Sequence, residues 1–81
     1  MTLFDFKLLM QEEQIEEVYR NGVYIGKRKE ATTIVLLYQV DSFYVELFYK
    51  KYRHIVSHIR SSLSTSVLDP YLEQIEVMDR V

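Results

Sequence analysis

The sequence predicts an α+β domain: an antiparallel meander of about four strands, with an N-terminal helix and a short C-terminal helix packed on one face. Two observations predict this class. Residues 32–40 and 43–50 are rich in β-branched and aromatic side chains, and the polar pair Asp41-Ser42 separates them as a hairpin turn would. Residues 10–21 instead repeat apolar side chains at helical spacing among glutamates.

The length of the chain indicates one small domain over residues 1–81. A domain of this size buries only about 60% of its unfolded surface, so its stability is marginal unless something else contributes. The chain has no cysteine, which excludes disulfides and cysteine-bound metals. Self-association is the remaining source of extra stability.

The first ten residues do not form a signal peptide, because a basic leading region is missing and Asp5 and Lys7 interrupt the apolar run. No apolar run approaches the roughly 20 residues of a membrane span. The lack of cysteine fits a reducing compartment. We therefore expect a soluble, cytoplasmic protein that has no contact with membranes.

The N-terminal helix is predicted over residues 10–21. Its acidic residues crowd the first turns, where they suit the positive end of the helix dipole. Asn21-Gly22 is interpreted as a left-handed stop. Residues 3–9 are open to two readings, an extra helical turn or an extended arm.

The first strand is predicted over residues 22–29, as an edge strand that turns back at Glu30-Ala31. Its Gly26 is interpreted as the place where an aromatic ring of the neighbouring strand comes close to the backbone. Residues 54–61 fit both a strand and a helix; we favour a strand, because the segment is β-branched and has no capping residue.

The C-terminal helix is predicted to begin at Asp69-Pro70. Asp69 would cap its N-terminus, and Pro70 suits the first helical position because its missing N–H costs nothing there. The side chains of Tyr71, Leu72 and Ile75 would form its apolar side.

Alternation of side chains divides the sheet into two faces if both predicted turns hold two residues. What we call the first face then carries only apolar and aromatic side chains and is the predicted core, on which both helices should pack: Val23, Ile25, Ile34, Leu36, Tyr38, Val40, Phe43, Val45, Leu47 and Tyr49. The second face mixes apolar and polar groups: Tyr24, Gly26, Arg28, Thr33, Val35, Leu37, Gln39, Tyr44, Glu46, Phe48 and Lys50. A five-residue loop before the last strand would add Val56, His58 and Arg60 to it, with His58 opposite Glu46.

The second face is the predicted functional surface, since an apolar patch with a charged margin on a small domain marks a contact site. We expect a non-enzymatic module that forms a homodimer or binds another protein there. The alternative is that the second face binds nothing and is only the half-exposed side of a sheet, which its cross-strand pairs stabilise. The predicted partner-binding residues are Tyr24, Arg28, Val35, Leu37, Tyr44, Phe48, Lys50 and Arg60.

A second hypothesis is a surface that binds single-stranded nucleic acid. Aromatic rings at positions 24, 44 and 48 would stack on bases, and basic side chains at 28, 50 and 60 would hold phosphates. Residues 22–60 hold seven basic and three acidic side chains, whereas the rest of the chain holds three basic and nine acidic ones. The net charge of −2 counts against this hypothesis.

Catalysis is the weakest hypothesis. Glu46 and His58 could form an acid–base pair, but on an open sheet the same two residues are more simply a cross-strand pair. His54 and His58 lack a suitably spaced carboxylate to complete a metal site. We therefore expect no catalytic residues, no metal and no cofactor.

The chain resembles a family of short, uncharacterised bacterial proteins. The resemblance rests on a helix that ends in Asn-Gly-Val-Tyr-Ile-Gly at residues 21–26, on Leu-Tyr-Gln-Val-Asp-Ser-Phe-Tyr-Val-Glu at 37–46, and on a tail at 64–75 that contains Leu-Asp-Pro-Tyr-Leu-Glu-Gln-Ile. It covers most of the chain. It implies the order helix, four-stranded meander and short helix, with a strand at residues 54–61, and it implies no activity.

Overall fold

A computed structural model describes residues 1–50 and 55–72 and confirms the α+β class. Two helices lead into a four-stranded antiparallel sheet in the order β1-β2-β3-β4, and a 3₁₀ turn follows the last strand. The elements are α1 (Leu3–Lys7), α2 (Gln11–Asn21), β1 (Val23–Glu30), β2 (Thr33–Val40), β3 (Phe43–Lys50), β4 (Val56–Ser62) and the 3₁₀ turn (Thr65–Leu68). Residues 69–72 continue as helix; residues 64–72 are called the C-terminal segment below.

Residues 3–7 form the extra helical turn rather than an extended arm. The Thr2 side chain caps α1 by accepting a hydrogen bond from the Asp5 N–H at 3.1 Å. A new helix then begins at Gln11, where the Met10 N–H donates to the Glu13 carboxylate at 3.1 Å. The kink between these helices turns both of them onto the first face of the sheet.

The end of α2 differs from its prediction. Gly22 is extended, with φ −78° and ψ 146°, so the predicted left-handed stop is wrong. A glycine is needed there for space, because a Cβ atom would lie 2.5 Å from the Val18 carbonyl oxygen. The Gly22 N–H donates to the same oxygen at 2.8 Å.

The central hairpin forms as predicted, with Val40 opposite Phe43 and a two-residue turn at Asp41-Ser42. Asp41 has φ 51°, a region that aspartate tolerates better than most residues. The turn between β1 and β2 lies one residue later than predicted, at Ala31-Thr32, because Glu30 pairs with Thr33. This shift preserves which side chains share a face.

A β-bulge in β1 changes the face of its first residues. The register shifts between Tyr24 and Gly26, so that Tyr24 lies opposite Tyr38 and Val23 lies opposite Gln39. The prediction that Tyr24 belongs to the second face and Val23 to the first is therefore wrong. One extra residue in a strand reverses the alternation of everything before it, which explains the exchange.

The first face carries the core together with the two N-terminal helices, as predicted. Phe6 and Phe43 pack with their ring centroids 5.3 Å apart. The fully buried cluster comprises Phe6, Val18, Val40, Phe43, Val45 and Leu47.

The fourth element is a strand, as predicted, although its register differs. Arg60 lies opposite Glu46, and His58 lies opposite Phe48. A second irregularity, between Phe48 and Tyr49, pairs Val56 with Tyr49 on the first face. The predicted pairing of His58 with Glu46 is therefore wrong, while His58 and Arg60 do belong to the second face.

The C-terminal segment packs on the second face, so the prediction that both terminal helices share one face is wrong. The Tyr71 side chain is buried against this face: its hydroxyl contacts Glu46, and its ring lies over Gly26, where a Cβ atom would be 3.4 Å from Cδ1. Gly26 thus admits an aromatic ring, as predicted. The ring comes from the C-terminal segment, not from a neighbouring strand.

The capping residue at the start of the C-terminal segment also differs from the predicted one. Ser64 caps the 3₁₀ turn by accepting a hydrogen bond from the Ser66 N–H at 3.2 Å. Asp69 already has helical angles, φ −54° and ψ −48°, and is not the predicted N-cap. Ile75, predicted on the apolar side of this helix, lies outside the described residues, as does His54.

Candidate binding sites on the two sheet faces

The predicted partner surface is largely internal. Val35, Leu37 and Phe48, which form its apolar centre, are 0%, 0% and 6% exposed. Tyr44 is half-buried, and Lys50 and Arg60 are exposed. The centre of the second face is thus core, while side chains at its margin, among them Lys50 and Arg60, remain at the surface.

A buried polar cluster lies beneath the C-terminal segment. Glu46 is 3% exposed, and its Oε2 accepts hydrogen bonds from the Tyr71 hydroxyl at 2.8 Å and from Arg28 Nη2 at 3.4 Å. A buried carboxylate needs such partners, because its desolvation costs several kcal/mol. The cluster connects β1, β3 and the C-terminal segment.

Arg28 lies between two aromatic rings in this cluster. Its guanidinium carbon is 5.8 Å from the centroid of Phe48 and 5.7 Å from that of Tyr71, both within cation–π range. The guanidinium also pairs with the exposed Glu30. Its buried Nε finds no acceptor among the described residues, and an unpaired buried donor costs about 1–3 kcal/mol.

Burial has opposite consequences for the two ionisable partners of Glu46. It raises the pKa of Tyr71 well above its usual range, and the hydrogen bond to the negative Glu46 raises it further. For Arg28, burial lowers the pKa, but the interactions with Glu30 and Tyr71 together outweigh this effect, so that the pKa is raised overall. Tyr71 therefore stays neutral and Arg28 stays charged throughout the physiological range.

His58 lies away from this cluster. Its ring stacks on Phe48 with centroids 4.0 Å apart, and Ser57 Oγ is 3.4 Å from its Nδ1. Glu46 is bound to other residues, so the geometry of the Glu46–His58 acid–base hypothesis is absent. Within residues 1–50 and 55–72 no three histidine or carboxylate side chains are grouped as metal ligands would be.

A polar pocket of about 220 Å³ opens at the edge of the second face. Its polar lining comes from the strands and from the 3₁₀ turn: Arg28, Glu46, Arg60, Ser62 and Ser66. Val67 and Pro70 form its apolar wall. Arg28 and Arg60 were predicted from the sequence, but the pocket was not, because Ser66, Val67 and Pro70 belong to a segment that was expected on the other face.

A second, apolar cleft of about 310 Å³ lies on the first face, lined by Ile34, Leu36, Tyr49 and Lys50. It exists because α2 is about 16 Å long, whereas eight-residue strands extend about 26 Å. The helices leave this end of the sheet uncovered.

Further aromatic and basic side chains share the first face with the cleft. Tyr24 is 55% exposed and packs edge-on against Tyr38 with centroids 5.6 Å apart. Tyr19 of α2 reaches over to hydrogen-bond the Tyr49 hydroxyl. The register places Lys27 and Lys29 opposite Leu36 and Ile34, on the same face.

The described part of the chain contains no helix long and apolar enough to cross a membrane. No protein-family model, no curated protein and no solved structure matches the sequence.

Proposed function

We propose that this protein is a non-enzymatic interaction module that pairs with a second copy of itself through the first-face cleft. The observation that carries the proposal is an apolar cleft that no element of the described residues covers, bordered by lysines, in a molecule whose α2 helix displays glutamates. The second face, where the contact was expected, is occupied by the chain's own C-terminal segment.

The cleft has the composition of an interface centre. Ile34, Leu36 and Tyr49 supply its apolar floor, and the exposed Tyr19 contacts it through the hydrogen bond to the Tyr49 hydroxyl. Tyrosine is enriched at protein contacts because a rigid ring contributes a large area at low entropy cost. Covering this end of the first face would complete a core that the two helices leave open.

The charges beside the cleft and on α2 favour a second copy of this chain as the partner that covers the cleft. Lys27, Lys29 and Lys50 border the cleft and are exposed, while Glu12 and Glu16 are exposed on α2. Among residues 1–50 and 55–72 none of these five pairs with an opposite charge within 4 Å. In a twofold dimer the acidic helix of each copy would lie against the basic border of the other, and both contacts would form at once.

Light scattering on a sizing column, repeated over a range of protein concentrations, tests this pairing. We expect a dimer that weakens as salt is raised, because exposed charge pairs are screened. Lys29→Glu and Glu16→Lys should each abolish the dimer, since each variant places like charges together at both contacts.

An equimolar mixture of the two variants supplies the matched control. In the heterodimer the glutamate introduced at position 29 of one copy faces the lysine introduced at position 16 of the other. The unmodified Glu16 and Lys29 meet at the second contact, so association should return. Circular dichroism confirms that both variants are folded. A wild-type protein that stays monomeric at high concentration, or a mixture that stays monomeric, contradicts the proposal.

The positions of the aromatic rings count against the nucleic-acid hypothesis. Of the three rings expected to stack on bases, Phe48 is covered and Tyr24 belongs to the opposite face from Tyr44. A stacking platform needs exposed rings side by side along one groove.

A further inference from the structure

We propose that the polar pocket of the second face binds a small anion with a single charge, of the carboxylate class. The site is independent of the first-face cleft and of the pairing proposed there. It is formed where β4 runs into the 3₁₀ turn, so that two arginines and two serines converge on one cavity.

The charges of the lining favour an anion with one negative charge. Arg28 and Arg60 carry two positive charges against the single negative charge of Glu46. Arg28 is already held by Glu46 and Glu30. Arg60 lies directly across from Glu46 in the sheet, and no acidic side chain of the described residues pairs with it within 4 Å.

Arg60 therefore supplies the guanidinium available to a ligand, and its planar pair of N–H donors matches the two oxygens of a carboxylate. The fixed charge of Glu46 at the base of the pocket opposes a second negative charge on the ligand. A doubly charged phosphate should bind less well than a carboxylate for this reason.

Ser62, at the end of β4, and Ser66, in the 3₁₀ turn, supply further hydroxyl groups to the lining of the pocket. Ser62 Oγ accepts a hydrogen bond from the Ser64 N–H at 3.0 Å, which leaves its own O–H to donate elsewhere. Ser66 is held by the turn, with its N–H donating to Ser64 Oγ at 3.2 Å. The Ser66 hydroxyl lies 2.7 Å from Ser64 Oγ, so hydrogen bonds to Ser64 hold both hydroxyls in place before any ligand arrives.

The size of the pocket limits the ligand. A volume of about 220 Å³ is below the roughly 300–1,000 Å³ typical of sites for drug-sized molecules. Val67 and Pro70 offer a small apolar wall. A short-chain carboxylate, with its charged end at Arg60 and its carbons against this wall, has the matching shape.

Nuclear magnetic resonance titration with acetate tests the site, with chloride and inorganic phosphate as separate arms at constant ionic strength. We expect saturable shifts with acetate at the amides of residues 60–66 and at the Arg60 side chain. Arg60→Gln should weaken acetate binding about tenfold or more, because a charge-assisted hydrogen bond is lost. Arg20→Gln, the same change at an exposed position of α2 outside the pocket, should leave acetate binding unchanged.

A second, milder variant distinguishes the loss of a ligand contact from misfolding of the Arg60→Gln protein. Ser66→Ala keeps every charge and should weaken acetate binding by a smaller factor than Arg60→Gln. Shifts that rise linearly and equally with acetate and chloride would mean an adventitious ion only and would overturn the proposal. Tighter binding of phosphate at a pH where it is doubly charged would overturn the assignment to a carboxylate.

Discussion

Among the described residues, Glu46 is the charged side chain that is buried, although its sequence context indicates a position at the surface. Between Val45 and Leu47 it reads as a surface residue on the margin of a sheet. In the fold it is buried and held by Tyr71 and Arg28. A residue 25 positions away along the chain supplies the hydrogen bond that stabilises the buried carboxylate.

The two carboxylates that pair with Arg28 should differ in their effect on stability. Glu46→Ala removes a buried partner and leaves Arg28 and Tyr71 without it, so we expect a loss of about 2–4 kcal/mol in the free energy of unfolding. Glu30→Ala removes an exposed partner of the same guanidinium and should cost less than about 1 kcal/mol. Urea denaturation of the two variants measures the difference; equal losses would mean that the Glu46 cluster does not stabilise the fold.

The raised pKa of Tyr71 predicts a loss of stability in alkali. The folded state keeps the phenolic proton, whereas the unfolded chain releases it near pH 10. The contribution of Tyr71 to the free energy of unfolding is therefore fully present below about pH 10. It falls as the pH rises above that value, by at most about 1.4 kcal/mol per pH unit.

Denaturation of the wild type and Tyr71→Phe between neutral and strongly alkaline pH measures this contribution. The variant should be less stable at neutral pH, because Glu46 loses a donor, and should lose less stability above pH 10. Tyr49, whose pKa burial also raises, titrates in both proteins and cancels in the comparison. Parallel curves for the two proteins above pH 10 would show that Tyr71 ionises alike in both states.

At the scale of elements, the strands and helices followed from composition and the junctions did not. Alternation and β-branched content were enough to locate β2 and β3 to within one residue. The end of α2 and the bulge of β1 were missed, because both depend on contacts made after the elements form. The isolated Gly26, which lies directly at the bulge, is the residue type that often marks one inside a strand, but the prediction interpreted it only as a place of close ring approach.

The glycines at the end of α2 and in β1 should respond differently to alanine. In Gly22→Ala the new Cβ meets the backbone oxygen of Val18, which cannot move without unwinding α2, so we expect a loss of about 1–3 kcal/mol. In Gly26→Ala the Cβ meets the ring of Tyr71 at ordinary contact distance, and the change should stay within about 0.5 kcal/mol. Thermal unfolding compares them; a larger loss at Gly26 would contradict the described seat of the Tyr71 ring.

For the molecule as a whole, the sequence shows that acidic and basic side chains are separated, but it does not show which contacts they make. The acidic N-terminal helix and the basic sheet are visible in the sequence. Among the described residues, however, the exposed glutamates of α2 and the lysines of β1 form no ion pairs with one another. This leaves both sets available to a second copy, which is the basis of the proposed pairing.

The sequence by itself determined the class of this protein, the order of its strands and the apolar content of both sheet faces, because these follow from local periodicity and turn chemistry. Only the tertiary structure decided which face is covered by what. The choice rests on a few long-range contacts, chiefly Tyr71 on Gly26 and Glu46, whose free energy no local pattern encodes. The centre of the predicted binding surface is therefore core. The candidate sites lie instead at the end of the first face that no described element covers and in the pocket beside the C-terminal segment.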